Sequence, residues 1–542
     1  MFSSYLNNVN SAEWLLVLSS LGLLLILINI SYNLFFHPLA HVPGPFWSRI
    51  SSLPSWYHAC RGDRHIWLWQ LFQIYGDRIR SAPNTVLFCD PKAYTDIHNI
   101  KSNVRRASFY PVFQMKHHEP MTITVSDVSE HTRRRRRLLP IFNEKSLHAA
   151  SIFIIDHVER WIQILTEDNE IPTEWSSPIN LARKFDFLTF DISGDLNFGA
   201  SFGSKEPTEV SGKLIPDYVS QFLRFHYIIA RSPFADLFLW MRPRGLDFII
   251  DSITPSPVKT FNEFLYNSVT KRLALQKEQA EKPEAERRQD LFHFLHEAKD
   301  PDTSCPAYNE SDLRGESTLL LIAGSDTTST ALTGIFFCLT GDPRRYQKLV
   351  DEILSTFDSA EDIVHGSKLI GCQYLRACVD EALRLNPSLL GDLPREVLPG
   401  GITIKGEYYP TGTIVGDVPW ATMRNEDVYG DPEVFRPERW ILDESAGVTK
   451  EAIAQAKSCF HPFSAGPGNC VGQNLAIVII LITVARTLYH LDVRRVPGST
   501  FGGGSPTMGW GSRNRNQLQL RDIFAAMKEG PEVQFRKRVL SS

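Results

Sequence analysis

Cysteine is scarce in this chain and scattered: eight residues (Cys60, Cys89, Cys305, Cys338, Cys372, Cys378, Cys459 and Cys470) in a length of 542. They form neither the paired spacing of a zinc finger nor a dense disulfide framework, which suits a reducing compartment. An excess of one charge is also missing, and a net charge of −4 exerts no general pull on nucleic acid. The first Lys or Arg is Arg49, so the apolar N-terminal run lacks the basic start of a cleaved signal peptide. Nucleotide motifs are lacking as well. Gly502-Gly-Gly504 has neither the strand–turn–helix setting nor the spacing of a phosphate-binding loop and reads as a turn. No flavin or nicotinamide motif stands elsewhere.

What is present begins with an apolar run. Trp14 to Ile30 is almost unbroken Leu, Ile and Val, and apolar character continues to Phe36. About 20 such residues cross a bilayer as a helix; a buried core helix is the alternative. The first basic residues beyond it, Arg49, Arg61 and Arg64, put the bulk of the chain on the cytosolic side by the positive-inside rule. In His37-Pro-Leu-Ala-His-Val-Pro-Gly-Pro45 the three prolines stiffen the backbone, as a hinge or an ordinary rigid linker. The expected division is a membrane anchor over 1–36 (span about 14–34), a proline-rich hinge over 37–45 and a catalytic domain over 46–542. A hydrophobic share of 43% supplies that domain with a substantial core.

The chain is organised around Phe463-Ser-Ala-Gly-Pro-Gly-Asn-Cys-Val-Gly472. Behind Cys470 runs an apolar segment of helical character, Leu475 to Tyr489, whose orphan amides and positive end favour a thiolate. Gly466, Gly468 and Gly472 let the backbone fold tightly around the sulfur and approach something flat. Axial ligation of heme iron is one use of a cysteine so placed; taken alone, it reads more simply as a small packing residue. Ser311 to Thr340 reads as a long buried helix containing Ala323-Gly-Ser-Asp-Thr-Thr328. There Ala323 and Gly324 admit a flat ligand at a cost in helix stability. Thr327 can bond back to the Ala323 carbonyl, bending or opening the helix. Glu381-Ala-Leu-Arg384 puts a carboxylate and a guanidinium on one helix face. Five arginines at 133–137 lie within a helical pattern, a charged face rather than a nucleic-acid tail. A helix with a glycine cap is expected over Phe185–Gly199, and a solvent-exposed connection over 276–290.

The Phe-x-x-Gly-x-x-x-Cys-x-Gly spacing of Phe463–Gly472, the Ala323–Thr328 run, Glu381-x-x-Arg384 and Phe435-Arg-Pro-Glu-Arg-Trp440 are motifs of the cytochrome P-450 family, which this chain resembles over nearly its whole length. The resemblance implies a mostly α fold with small β-sheets, the cytochrome P-450 fold, preceded by an N-terminal transmembrane helix. It implies heme b (iron protoporphyrin IX) as cofactor, with Cys470 as the metal ligand. Cofactor-binding roles follow for Phe463, Gly466, Gly472, Ala323 and Gly324, and for His131, Arg135 and Arg395 at the propionates. Thr327 would hydrogen-bond dioxygen and Asp326 would relay protons. Glu381, Arg384 and Arg439 would form a structural cluster. Phe109, Phe113 and Met115 are substrate-contact candidates. The remaining arginines of 133–137 would lie on the surface where an NADPH-cytochrome reductase docks, with cytochrome b5 as a second electron donor. The family usually has Arg or His two residues before the cysteine, where this chain has Gly468, so one propionate loses a common partner. Microsomal relatives imply the endoplasmic reticulum membrane, and the Phe185–Gly199 run resembles filamentous-fungal members. Those imply hydroxylation of a lipophilic small molecule of secondary metabolism: terpenoid, polyketide or indole-derived. Desaturation, ring closure or oxidative coupling by the same heme chemistry, and a non-catalytic membrane heme carrier, are the alternatives. No nucleic-acid partner is expected.

Overall fold

Helices account for most of the chain, with short strands gathered at its flanks. The computed structural model describes residues 11–539 apart from 117, 168, 170, 172 and 209–211. Helix α1 (Ser11–Ser31) continues as a π-helical turn over Tyr32–Phe36. Trp14–Phe36, 23 residues, is long and apolar enough to cross a membrane, and its most apolar stretch is buried against nothing in the protein. Two further helices meet the same criteria of length and apolarity, but both are mostly buried inside the protein and serve as core.

The anchor is stitched to the rest. Arg49 donates to the carbonyls of Leu34 (3.2 Å) and Ala40 (2.9 Å). Arg80, fully buried, donates to the Asn33 carbonyl (2.8 Å) and twice to that of Pro83. Gly44 lies against this arginine's backbone, where a Cβ would meet the Arg80 carbonyl oxygen at 2.5 Å.

The long axis of the domain is a 32-residue helix. Helices α2 (Val128–Leu138), α3 (Glu144–Thr166), α4 (Leu181–Phe198), α5 (Ile215–Arg231), α6 (Ser256–Ala280), α7 (Glu310–Gly341), α8 (Gln373–Leu385) and α9 (Gln473–His490) build its frame. α7 opens on a capping box, with the Asn309 side chain accepting from the Asp312 amide and Asp312 reaching back to that of Asn309. Its many hydroxyls survive in apolar surroundings because Ser325, Thr330 and Thr333 bond back to carbonyls four residues earlier. Gly334 lets α7 close on the end of α8, since a Cβ there would lie 2.9 Å from that of Asn386. α4 ends as its sequence indicates: Gly199 takes φ +74° and donates its N–H to the Asp195 carbonyl. The connection expected over 276–290 is shorter than that, because α6 runs on to Ala280 and buries Gln276 and Gln279 on its inner face.

α3, α4, α7, α8 and α9 share the main core, whose burial supplies the bulk of the stabilisation. A second apolar cluster joins α5 and α6 to Phe109, Phe113 and Ile523. Strands β1 (Arg78–Ala82), β2 (Thr85–Phe88), β3 (Val104–Arg106), β4 (Arg395–Val397) and β5 (Ile414–Asp417) form a sheet of order β1-β2-β5-β4-β3, with only β2 and β5 parallel. In this sheet Arg106 and Arg395 stand opposite each other. Near the C-terminus β6 (Leu520–Ile523) and β7 (Ala525–Lys528) make a hairpin.

Candidate active site

The loop before α9 wraps the sulfur. The Cys470 N–H donates to the Phe463 carbonyl (2.8 Å), and a single 3-10 turn, Gly466–Gly468, lies between them. Gly466 has φ +63°, and a Cβ there would fall 1.8 Å from the His98 carbonyl oxygen, so no side chain fits. Gly472 caps the start of α9. Cys470 opens onto a mainly apolar cavity of about 310 Å³. The helix-end amide acts in the expected direction, since the Gly472 N–H and the Arg135 charge both favour the thiolate, but burial outweighs them and pushes the thiol up. A cation bound to the sulfur, as a ligated metal ion would be, deprotonates such a thiol outright.

Cations converge on one edge of the same cavity. Arg135, Arg395 and Arg106 line it. Arg135 bonds the Asn469 carbonyl (2.7 Å) and its side-chain oxygen. Arg395 Nη1 donates to the Tyr110 hydroxyl (2.7 Å). Arg106 Nη1 donates to the carbonyls of Thr122 (3.0 Å) and Ile123 (2.7 Å). Burial, with Arg395 and Arg135 nearby, brings the Arg106 guanidinium down to about 10. His131 is buried with no partner for Nε2 among the described residues, and burial plus these three arginines brings it down to about 3. It is thus a neutral hydrogen-bonding group amid three cations, an arrangement that an anionic ligand would relieve. No sequence motif marks Arg106; its cross-strand pairing with Arg395 and its place on the cavity wall reveal it.

The arginine run does not form one surface. Arg134 is buried and pairs with Asp312 (2.6 Å), Glu130 (2.9 Å) and Glu316 (3.4 Å), while Arg137 is largely buried against Asp300. Only Arg133 and Arg136 are well exposed, so the expected docking face is reduced to these two.

Facing the cavity from α7 are Ala323, Gly324 and Thr327. The Thr327 hydroxyl donates to the Ala323 carbonyl at 2.6 Å, yet α7 stays a continuous α-helix across this point rather than opening. Asp326 is buried one residue away. Its Oδ1 accepts from Lys528 Nζ (3.2 Å), and Oδ2 has no partner among the described residues. Lys528 also donates to Asp186 Oδ1 (2.6 Å), which the Ser329 hydroxyl joins at 2.6 Å. Burial raises the Asp326 carboxyl, Lys528 opposes that, and Asp186 adds to it. Lys528 lies some two hundred residues downstream and carried no local signal.

Glu381 is fully buried and saturated. It accepts from Arg384 through both oxygens (2.9 and 3.0 Å), from Arg439 Nε (3.0 Å), from Trp440 Nε1 (3.0 Å) and from the Arg436 amide (3.0 Å). Of the three substrate-contact candidates, Phe113 lines the cavity; Phe109 and Met115 pack behind it in the second apolar cluster. Met121, Ile123, Phe222 and Phe524 complete the wall, and none of them stands in a recognisable motif.

Compared with known proteins, residues 43–507 match the profile of the family described as Cytochrome P450. The chain is 32% identical over 528 residues to the cytochrome P450 monooxygenase AKT7 of Alternaria alternata, covering 96% of this chain and 97% of that one. It is 32% identical to the cytochrome P450 monooxygenase poxM of Penicillium oxalicum, covering 94% and 92%. To apf7 of Gibberella fujikuroi, also a cytochrome P450 monooxygenase, it is 33% identical, covering 94% and 95%. That family carries a heme held by a cysteine thiolate, and the residues present fit one. A sulfur opens onto the cavity from a loop too tight for side chains, a glycine notch faces it, and three arginines gather where two carboxylates would lie, with the neutral His131 behind them rather than on the cavity wall.

Proposed function

The chain belongs to the cytochrome P450 family, and on that premise we propose that it hydroxylates a lipophilic small molecule in fungal secondary metabolism, a terpenoid, polyketide or indole-derived compound. The supporting observation is that Cys470 and, from α7, Ala323, Gly324 and Thr327 line one largely apolar cavity. Heme bound there would activate dioxygen, with electrons drawn from an NADPH-cytochrome reductase. Cys470 would hold the heme iron through Sγ, and the Gly472 N–H would temper its electron donation. His131, Arg106, Arg135 and Arg395 would hold the propionates; guanidinium–carboxylate pairs are charge-assisted and can be bidentate. Phe113, Phe222 and Phe524 exclude water and suit an apolar substrate.

Two groups handle protons. Thr327 gives its own proton to the Ala323 carbonyl, so Oγ1 turns lone pairs to the cavity and orients a donor there. Asp326, raised by burial, takes up and passes on a proton through Oδ2, while Lys528 holds Oδ1 in place. The apolar helix α1 anchors the protein, by this reading in the endoplasmic reticulum with the catalytic domain in the cytosol.

The deciding experiment is a reduced carbon-monoxide difference spectrum on membranes carrying the chain. A strongly red-shifted Soret band is expected, lost in Cys470→Ala. A product heavier by one oxygen atom should follow with reductase and substrate. Retention of that band in Cys470→Ala would overturn the ligand assignment.

A further inference from the structure

Behind the cavity wall, buried polar groups from separate parts of the chain meet, and no step above uses them. Arg64 is almost wholly buried and donates to Asp392 Oδ1 at 2.5 Å. Arg231, the last residue of α5, donates to Asp392 Oδ2 (3.0 Å) and to its carbonyl (2.9 Å). One turn earlier on α5, the buried Tyr227 hydroxyl donates to Asp522 Oδ2 at 2.8 Å. The other oxygen of Asp522 accepts from the Phe524 amide (3.3 Å) at the tip of the β6–β7 hairpin. The two carboxylates meet across Gly391, where a Cβ would lie 2.8 Å from Asp522 Oδ2, 3.4 Å from Arg64 Nη1 and 3.5 Å from the Tyr227 hydroxyl. Two guanidiniums thus face two carboxylates over a bare backbone.

Phe524 explains why this matters to the cavity. Its φ of +87° is a conformation that a bulky L-residue seldom adopts, held only where its surroundings impose it. In that conformation its ring lines the cavity and packs on Phe113 (4.8 Å between centroids) and Phe109 (5.4 Å). Arg231 closes the set by lying over the Phe109 ring at 4.3 Å. The Tyr227 bond that ties α5 to the hairpin therefore ends on the same carboxylate, Asp522, that holds the Phe524 amide, while Asp392 fastens the end of α5 to Arg64.

We propose that Asp522, which joins α5 to the hairpin through Tyr227, and Asp392, which fastens the end of α5 to Arg64, are positioning residues, a clasp that holds Phe524 in the cavity, so that its roof is set before a substrate arrives. They act through Phe524 and α5 and need touch no substrate. A roof fixed in this way restricts which carbon of a bound molecule reaches the reacting centre, and it requires ligands to pass by another side of the cavity than the α5 end. The clasp stands on the geometry alone; its effect on ligands rests on the reading of the cavity as a heme and substrate site.

The full chain in detergent or membranes serves for the test. In Tyr227→Phe and Asp392→Asn, hydrogen–deuterium exchange over 520–528 and over the last two turns of α5 should rise about tenfold, the loss of one buried hydrogen bond or more. Asp522→Asn retains an acceptor for the Phe524 amide and should fall between these variants and the parent. Release of 4-phenylimidazole, followed by its Soret shift, should accelerate severalfold in Tyr227→Phe and Asp392→Asn with the carbon-monoxide band intact. Exchange within twofold of the parent in Tyr227→Phe would overturn the clasp. That variant removes a single hydroxyl, so it decides the matter even where Asp392→Asn fails to fold. A parent chain giving no Soret shift with 4-phenylimidazole would count against the heme reading, and the exchange measurement would still judge the clasp.

Discussion

A Cβ on Gly468 would sit 2.7 Å from Arg395 Nη2. The guanidinium of β4 thus occupies the room that a side chain two residues before the cysteine would take. Arg395 is buried and tied to Tyr110, Leu393 and Pro394, so it yields only by breaking those bonds. Gly468→Ala should then loosen the propionate edge by about 1 kcal/mol, roughly fivefold in heme loss. Transfer of heme to apomyoglobin measures it; an unchanged rate would mean that Arg395 has space to retreat.

Thr327 and Asp326 should separate in their effects. For Thr327→Ala the expectation is uncoupling, with NADPH consumed and peroxide released while heme binding persists. Asp326→Asn should slow turnover and enlarge the solvent isotope effect, since Oδ2 can no longer take up a proton. Full coupling in Thr327→Ala would remove that residue from oxygen handling.

Lys528 gives a distinct result. Lys528→Met leaves the buried Asp326 without its cation and Asp186 without its closest one. Removing one partner of a buried pair costs about 3–5 kcal/mol. A large drop in the denaturant midpoint is expected, with the surviving folded fraction impaired in turnover. Stability equal to the parent would show that the lysine is dispensable to the hairpin and to α7 alike.

The five-donor shell of Glu381 makes a similar but purely structural prediction. Glu381→Ala strands Arg384 as a buried cation, while Arg439 keeps the Asp431 carboxylate, and should cost about 3–5 kcal/mol. Poor accumulation of folded protein is the readout, and wild-type yield with intact heme would contradict it.

Glu316 predicts a pH dependence. It lies fully buried on α7, accepts from the Thr122 amide (2.9 Å) and hydroxyl (2.6 Å), and burial pushes its carboxyl up to about 7. The folded protein therefore holds a proton that the unfolded chain, near its ordinary 4.5, has released. Folding is favoured by that proton below the unfolded value, and the advantage is lost as pH rises toward 7. The difference is on the order of 3 kcal/mol. Glu316→Gln keeps an acceptor for Thr122 and cannot titrate, so its stability should be flatter between pH 5 and 7. Parallel curves for variant and parent would refute this.

What could be read from the sequence was contiguous. The Thr327-to-Ala323 bond spans four residues and the Glu381–Arg384 pair three, so helical periodicity alone brings them together. The glycine cap of α4 and the apolar N-terminal helix are local in the same sense. What could not be read depends on distant partners. Arg134 reads as surface charge until Asp312 and Glu316 arrive from α7 to bury it. Arg106 and Arg395 are joined by strand register, and Lys528 and Phe524 enter on a hairpin that no motif marks. The helix-end amide that favours the Cys470 thiolate is local, whereas the burial that opposes it comes from distant elements.

The bonds from Arg49 and Arg80 to the end of the anchor have a practical meaning for anyone seeking a water-soluble form. Arg80 is sealed from solvent, and burial together with the Arg49 charge already brings its guanidinium down to about 10. A chain shortened past Phe36 would delete the Asn33 carbonyl from Arg80 and the Leu34 carbonyl from Arg49. The cut would thus reach into the folded domain and leave it weaker, whereas one that spares Asn33 and Leu34 would remove most of the apolar span and retain both acceptors.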